Sequence, residues 1–87
     1  MKLQIVVMYD SKTEAYGAPN FVVNIGSAVR GFTDEINREA PDNLLYRHPG
    51  DFSLYHLGEY DDARAAFELL QQPRELARGI EMSQKGS

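Results

Sequence analysis

Along residues 3–9, Leu3, Ile5, Val7 and Tyr9 alternate with Gln4, Val6 and Met8. Period-two alternation with β-branched residues predicts a strand, because successive side chains of an extended chain point to opposite faces. The second set is also mostly apolar, so this strand is expected to be central or covered on both sides. Residues 10–20 break the pattern with Asp10-Ser11, Gly17 and Pro19 and read as an eleven-residue loop. A bare connection of that length is long for a small domain, and long ordered loops often carry function.

Phe21-Val22-Val23 reads as a short extended stretch. Beyond it the apolar period lengthens. Ile25, Ala28, Val29, Phe32 and Ile36 share one helical stripe, with Asn24 or Ser27 as the cap and Pro41 as the stop. Arg30 with Asp34 and Asp34 with Arg38 stand at helical neighbour spacing on the polar side. Residues 42–50 read as a second loop, closed by His48-Pro49-Gly50. Residues 52–60 then carry aromatics on both faces and predict a strand, bulged near Gly58, with Asp61-Asp62 starting a turn. Residues 63–72 are ambiguous: the alanines and leucines favour a helix by propensity, and a tight hairpin returning a strand at Ala66–Leu70 is the alternative. Pro73 suits the first turn of a short helix over 74–78, and the polar residues after Gly79 read as a fraying tail. These elements describe an α+β fold: an antiparallel sheet of three to four strands on one amphipathic helix, with a short C-terminal helix. Residues 1–80 form one domain and 81–87 a flexible tail.

Composition narrows the function more by what it removes. At 87 residues the chain holds a single domain, and with no cysteine it has no disulfide, thiol nucleophile or Cys-based zinc site. No apolar run approaches the roughly 20 residues of a membrane span, so no membrane partner is expected. The net charge is −4, and eight acids against Arg38 and Arg47 lie between residues 31 and 62. A protein that grips nucleic acid by neutralising phosphates carries a basic surplus, so any contact of that kind must be local here.

Candidate chemistry is sparse. His48 and His56, with Asp51 and Asp61 nearby, lack the short fixed ligand spacing of metal motifs and read as structural or surface histidines. There is no phosphate-cradling glycine loop and no nucleophile elbow, so neither a catalytic residue nor a cofactor is expected. The best candidate contact surface is Tyr9, Lys12 and Tyr16 around the first loop, joined by Arg30 if the loop folds over the helix. Tyrosine stacks on bases and lysine or arginine meets phosphate. Against that stands the plainer reading, in which Asp10 caps a turn, Tyr16 covers the core edge and Arg30 pairs with Asp34 or another acid. The acids Asp34, Glu35, Glu39 and Asp42 form a solvated helix face or a surface for a basic partner. Exposed strand edges make a homo-oligomer expected.

Four pieces occur in order: Ile5 with Tyr9-Asp10, Lys12 and Ala15-Tyr16; Pro19 with Phe21; Gly26, Ala28, Arg30, Phe32, Asp34 and Asn37; and His48-Pro49, Asp51-Phe52, Leu54, Leu57-Gly58 and Tyr60-Asp61. In this order they resemble the small nonstructural protein of gokushovirus-type single-stranded DNA phages, over about residues 3 to 73. The chain departs from that pattern after Asp62, where Ala63-Arg64-Ala65-Ala66 stands in place of a glycine-containing hairpin turn. The resemblance favours the hairpin over the helix for 63–72. It implies a non-enzymatic protein of the infected host cytoplasm, acting in viral DNA replication and its switch to genome packaging. Its implied partners are phage replication or packaging proteins, with direct single-stranded DNA binding as the alternative.

Overall fold

The computed structural model describes residues 1–84. Five strands and three helices follow in the order β1 (Lys2–Asp10), β2 (Ala15–Tyr16), β3 (Asn20–Val22), α1 (Ile25–Asn37), α2 (Leu44–Arg47), β4 (Phe52–Asp61), β5 (Ala66–Arg78) and α3 (Gly79–Met82). A 3-10 turn over Pro49–Asp51 leads into β4. All pairings are antiparallel. The central strand β1 takes β4 along one edge and both β2 and β3 along the other, while β5 pairs the far side of β4. The expected α+β class and the central place of β1 are therefore observed, with the short β2 as an added strand.

The expected loop over 10–20 is instead folded back onto the sheet. Tyr16 lies opposite Tyr9, and Phe21 opposite Ile5. The turn between β1 and β2 is built by Asp10, whose carboxylate accepts the Lys12 N–H at 2.9 Å, and by Glu14, whose φ is 57°. The β4–β5 hairpin uses the same device: Asp61 accepts the Ala63 N–H at 3.0 Å, and Ala65 stands at φ 54°. A glycine would suit both left-handed positions better, and its absence is why neither hairpin announces itself in the sequence.

One face of the sheet carries the core. Val6, Phe52, Leu54 and Ala77 pack under Phe32 and Ile36 of α1, with Met8, Val22, Ala28, Val29, Leu45, Leu76 and Met82 around them. The stripe read along the helix thus does bury. Asn24 is its cap, accepting the Ser27 N–H at 2.8 Å. The helix ends before Pro41, through a side chain that the sequence pattern did not single out. Buried Asn43 donates to the Glu35 carbonyl at 2.9 Å, which also accepts the Arg38 N–H, and to the Arg38 carbonyl at 2.8 Å, bonding two acceptors at the helix's C-terminal end. Its own carbonyl oxygen caps α2 through Leu45 N–H at 3.2 Å. Residues 42–50 are accordingly a short helix and a 3-10 turn rather than an open loop.

The helix expected over 74–78 is strand. Tyr55 lies opposite Glu75 and His56 opposite Arg74, so pairing with β4 outweighs the local preference of Pro73 to open a helix. The short C-terminal helix comes later, at Gly79–Met82. Gly79 is buried there, and a Cβ would meet the Pro49 carbonyl and lie 2.8 Å from Ile36 Cδ1. Of the tail expected over 81–87, residues 81 and 82 belong to this helix and residues 85–87 lie outside the described residues.

Candidate binding face

Register decides which side chains share the face away from α1. Ile5, Val7 and Tyr9 of β1 point there, and so does Tyr55, which lies opposite Val7. Leu57 is an extra residue in β4 between His56, opposite Val6, and Gly58, opposite Ile5, so Tyr60 returns to this face opposite Leu3. Gly58 allows the bulge. Its φ is 149°, and a Cβ would strike the Glu68 carbonyl and lie 2.7 Å from Leu69 Cα. Phe67 lies opposite Tyr60, and Leu69 opposite Gly58. This helix-free face therefore collects apolar and aromatic side chains along the length of the sheet, with Ile5 and Val7 buried at its middle.

The aromatics fall into two groups. At the end nearer the helical layer, Tyr9 and Tyr16 have ring centroids 4.7 Å apart, and Tyr55 meets them edge-on at 6.3 and 5.7 Å. At the other end, Phe21, Tyr60 and Phe67 form a second trio with centroids 5.7, 6.4 and 4.8 Å apart. Tyr16 is half exposed at 50%, and Phe67 is 59% exposed. Burial first, then the neighbouring Glu75 carboxylate, push the Tyr55 phenol above its ordinary value. Its hydroxyl stands 3.5 Å from Glu75, which also accepts from Arg78 at 2.9 Å.

Of the residues selected from sequence, Tyr9 and Tyr16 come together as one surface. Lys12 and Arg30 do not join them. Lys12 sits in the β1–β2 turn and borders a shallow groove with Asp10, Leu44, His48 and Asp51. Arg30 is exposed on α1, and that helix covers the opposite face of the sheet. Among the described residues Arg30 forms no ion pair, and Arg38 is bonded to Glu35 rather than Asp34, with contacts of 2.6 to 3.1 Å. That bond holds the Glu35 carboxyl below its usual range. Sequence reading missed Tyr55, Phe21, Tyr60, Phe67 and Leu69. Phe52, Tyr55 and Tyr60 within residues 52–60 were the available signal; the contribution of Phe67 depended on the hairpin.

The helix-side face away from the core is polar and internally bonded. Buried His56 contacts Gln4 Oε1 through Nε2 at 2.9 Å, and its Nδ1 lies 3.3 Å from Arg74 Nη2. Arginine only donates, so Nδ1 accepts and the Nε2–H donates to Gln4. Gln4 in turn donates to Glu59 at 3.0 Å. Lys2 reaches Glu68 at 3.1 Å, and that hydrogen bond raises the ammonium pKa. These groups are satisfied by one another, which gives His56 a structural post. Among the described residues no cluster of three or more His, Cys, Asp or Glu side chains is placed to hold a metal ion. No helix there is long and apolar enough to cross a membrane.

A protein-family model described as "Phage ORF5 protein" matches residues 3–82. No curated protein and no solved structure matches the chain.

Proposed function

The chain belongs to the Phage ORF5 protein family, and from that premise we propose that it is a non-enzymatic nonstructural protein. In this reading it works in the host cytoplasm, in viral DNA replication and the switch to genome packaging, by presenting its helix-free sheet face to a phage protein. The observation that carries this reading is the tyrosine trio. Tyr9, Tyr16 and Tyr55 lie against one another on three neighbouring strands, β1, β2 and β4, with Tyr16 half exposed. Tyrosines held this way supply large contact area at little entropic cost, which is why they concentrate at interface hot spots.

Charge favours a protein partner over a phosphate backbone. The chain is net negative, and Lys2, Arg38, Arg64 and Arg78 are each paired with an acid of the same chain. A second reading, direct single-stranded DNA binding, draws on the same trio as a stacking surface. In that case Lys12 and Arg30 are not neighbours of the stacked bases and contribute little.

Crosslinking and pull-down from infected cells, with wild type and Tyr16→Ser, tests the proposal. A phage replication or packaging protein recovered by wild type and lost with Tyr16→Ser supports it. Equal recovery by both forms removes the tyrosine face from the function. Fluorescence anisotropy with a labelled oligonucleotide at low salt decides the second reading: binding that fails to weaken as salt rises, or its absence, eliminates it.

A further inference from the structure

The half of the sheet farther from the helical layer poses a separate question. On its helix-side face Lys2, Gln4, Glu59 and Glu68 bond to each other. On the other face lie Leu3, Phe21, Tyr60, Phe67 and Leu69. This is an amphipathic sheet, and an amphipathic sheet is stable when a second layer covers its apolar side. Ile5 on this face is buried, at 3% exposed, but no helix of the described chain lies over the side chains around it, since α1 packs on the opposite face over Val6, Phe52, Leu54 and Ala77. Phe21 is 48%, Phe67 59% and Leu69 65% exposed.

We propose that a second copy of this chain covers this half of the face, in a two-fold dimer formed by Phe21, Tyr60, Phe67 and Leu69 of each copy. Charge is the first argument. In a two-fold contact a patch meets itself, so uncompensated charge on it repels. Here each flanking cation is paired within the chain: the Met1 amine with Asp62 at 2.8 Å, Lys2 with Glu68 at 3.1 Å, and Arg64 with Asp61 at 3.7 Å, while the one acid in excess, Glu59, lies on the helix-side face 4.0 Å from Lys2. A nucleic acid would find none of these cations unpaired. The apolar hollow between Leu3, Phe21, Tyr60, Ala65 and Phe67 offers an aromatic ring of the partner a place to seat.

Area sets the strength. A large apolar or aromatic side chain has roughly 150–250 Å² to bury. At the observed exposures the three most open side chains therefore offer about 300–400 Å² per copy, and Leu3 and Tyr60 add to that. The sum falls short of the roughly 800 Å² per partner of a standard stable interface. The dimer is accordingly reversible and concentration-dependent, and it leaves the tyrosine trio at the other end of the sheet open. The inference shares with the proposed function only the reading of this sheet face as a contact surface; its test uses the purified chain alone, so the two fail separately.

The test is sedimentation equilibrium of the purified full chain from low micromolar to near-millimolar concentration. The mass is expected to rise from one chain toward two. Phe67→Ser is expected to raise the dissociation constant at least about tenfold, the scale of losing one buried aromatic anchor, and Leu69→Glu to do the same by setting like charges against each other. Tyr16→Ser leaves the dimer unchanged. Circular dichroism confirms that each variant is folded. If a variant does not fold, the concentration dependence of wild-type amide shifts replaces it, with changes expected around Leu3, Phe21, Tyr60, Phe67 and Leu69. A strict monomer at every concentration overturns the proposal. So does a dimer that folded Phe67→Ser and Leu69→Glu leave intact, or shifts centred on the β5 edge at residues 74–78, which would mark edge-to-edge pairing. A monomer whose Phe67 is protected only by another phage protein assigns the face to that protein and equally overturns it.

Discussion

Asn43 joins two helices through one buried amide, and replacing it tests how far that single side chain holds the helical layer. It is 4% exposed, with Nδ2 donating to two carbonyls at the end of α1 and Oδ1 accepting the first free N–H of α2. Asn43→Ala removes all three bonds. At about 1 kcal/mol net per hydrogen bond, less what the Glu35 carbonyl keeps by still accepting the Arg38 N–H at 3.2 Å, the loss is about 2–3 kcal/mol. Asn43→Asp keeps the shape and the acceptor but has no donor, and it sets a negative charge against the negative end of a helix dipole. It should cost more than alanine at neutral pH, about 3–4 kcal/mol. In a domain whose total stability is roughly 5–10 kcal/mol, both are severe. The sign with pH follows from the raised folded-state pKa of such a carboxyl. Protonation restores one donor, so the Asp variant's deficit is complete above its raised folded value, shrinks as pH falls from there toward the unfolded value near about 4, and is smallest below that. Urea unfolding followed at 222 nm, at pH 7 and at pH values descending toward 4, measures both. A loss under about 0.5 kcal/mol for Asn43→Ala, or an Asp variant more stable than the Ala variant at pH 7, would refute the argument.

Two other changes probe the hairpin that carries the exposed aromatics, and one probes the tyrosine trio. Ala65→Gly relieves a non-glycine left-handed residue and should stabilise by about 0.5–1 kcal/mol, whereas Gly58→Ala adds a Cβ at φ 149° against the Glu68 carbonyl and should cost about 2 kcal/mol or more. Thermal unfolding of the two variants should move in opposite directions; movement in the same direction would contradict the assigned backbone conformations. Tyr55→Phe should remove a late-ionising phenol from the alkaline titration at 295 nm. Because the folded pKa is raised, the stability tied to neutral Tyr55 is complete below the ordinary value of 10 and is lost as pH rises through the raised one, so the variant should resist alkaline unfolding to a higher pH. Five tyrosines titrating together in wild type would remove the assigned burial of Tyr55.

Local patterns determined more of this protein than its function. The alternation of residues 3–9, the stripe from Ile25 to Ile36 and the aromatic run of residues 52–60 each specified an element, because side-chain period is set by backbone geometry alone. Tyr9 and Tyr16 could be selected because they border or lie in the long segment over residues 10–20 that breaks the alternation. What lay outside reach depended on contacts between distant residues. Neither hairpin has a glycine at its left-handed position, the end of α1 rests on a side chain from the next segment, and residues 74–78 are strand only because β4 is beside them. Arg30 stands apart from the tyrosines because the sheet lies between them and α1, and Lys12 borders a groove with Leu44 and His48. Above all, both faces of β1 read as apolar in the sequence, and both bury their middle residues; only the packing of α1 over Val6 decided which face carries the helical layer and which carries the aromatic side chains, since a single helix covers a single face.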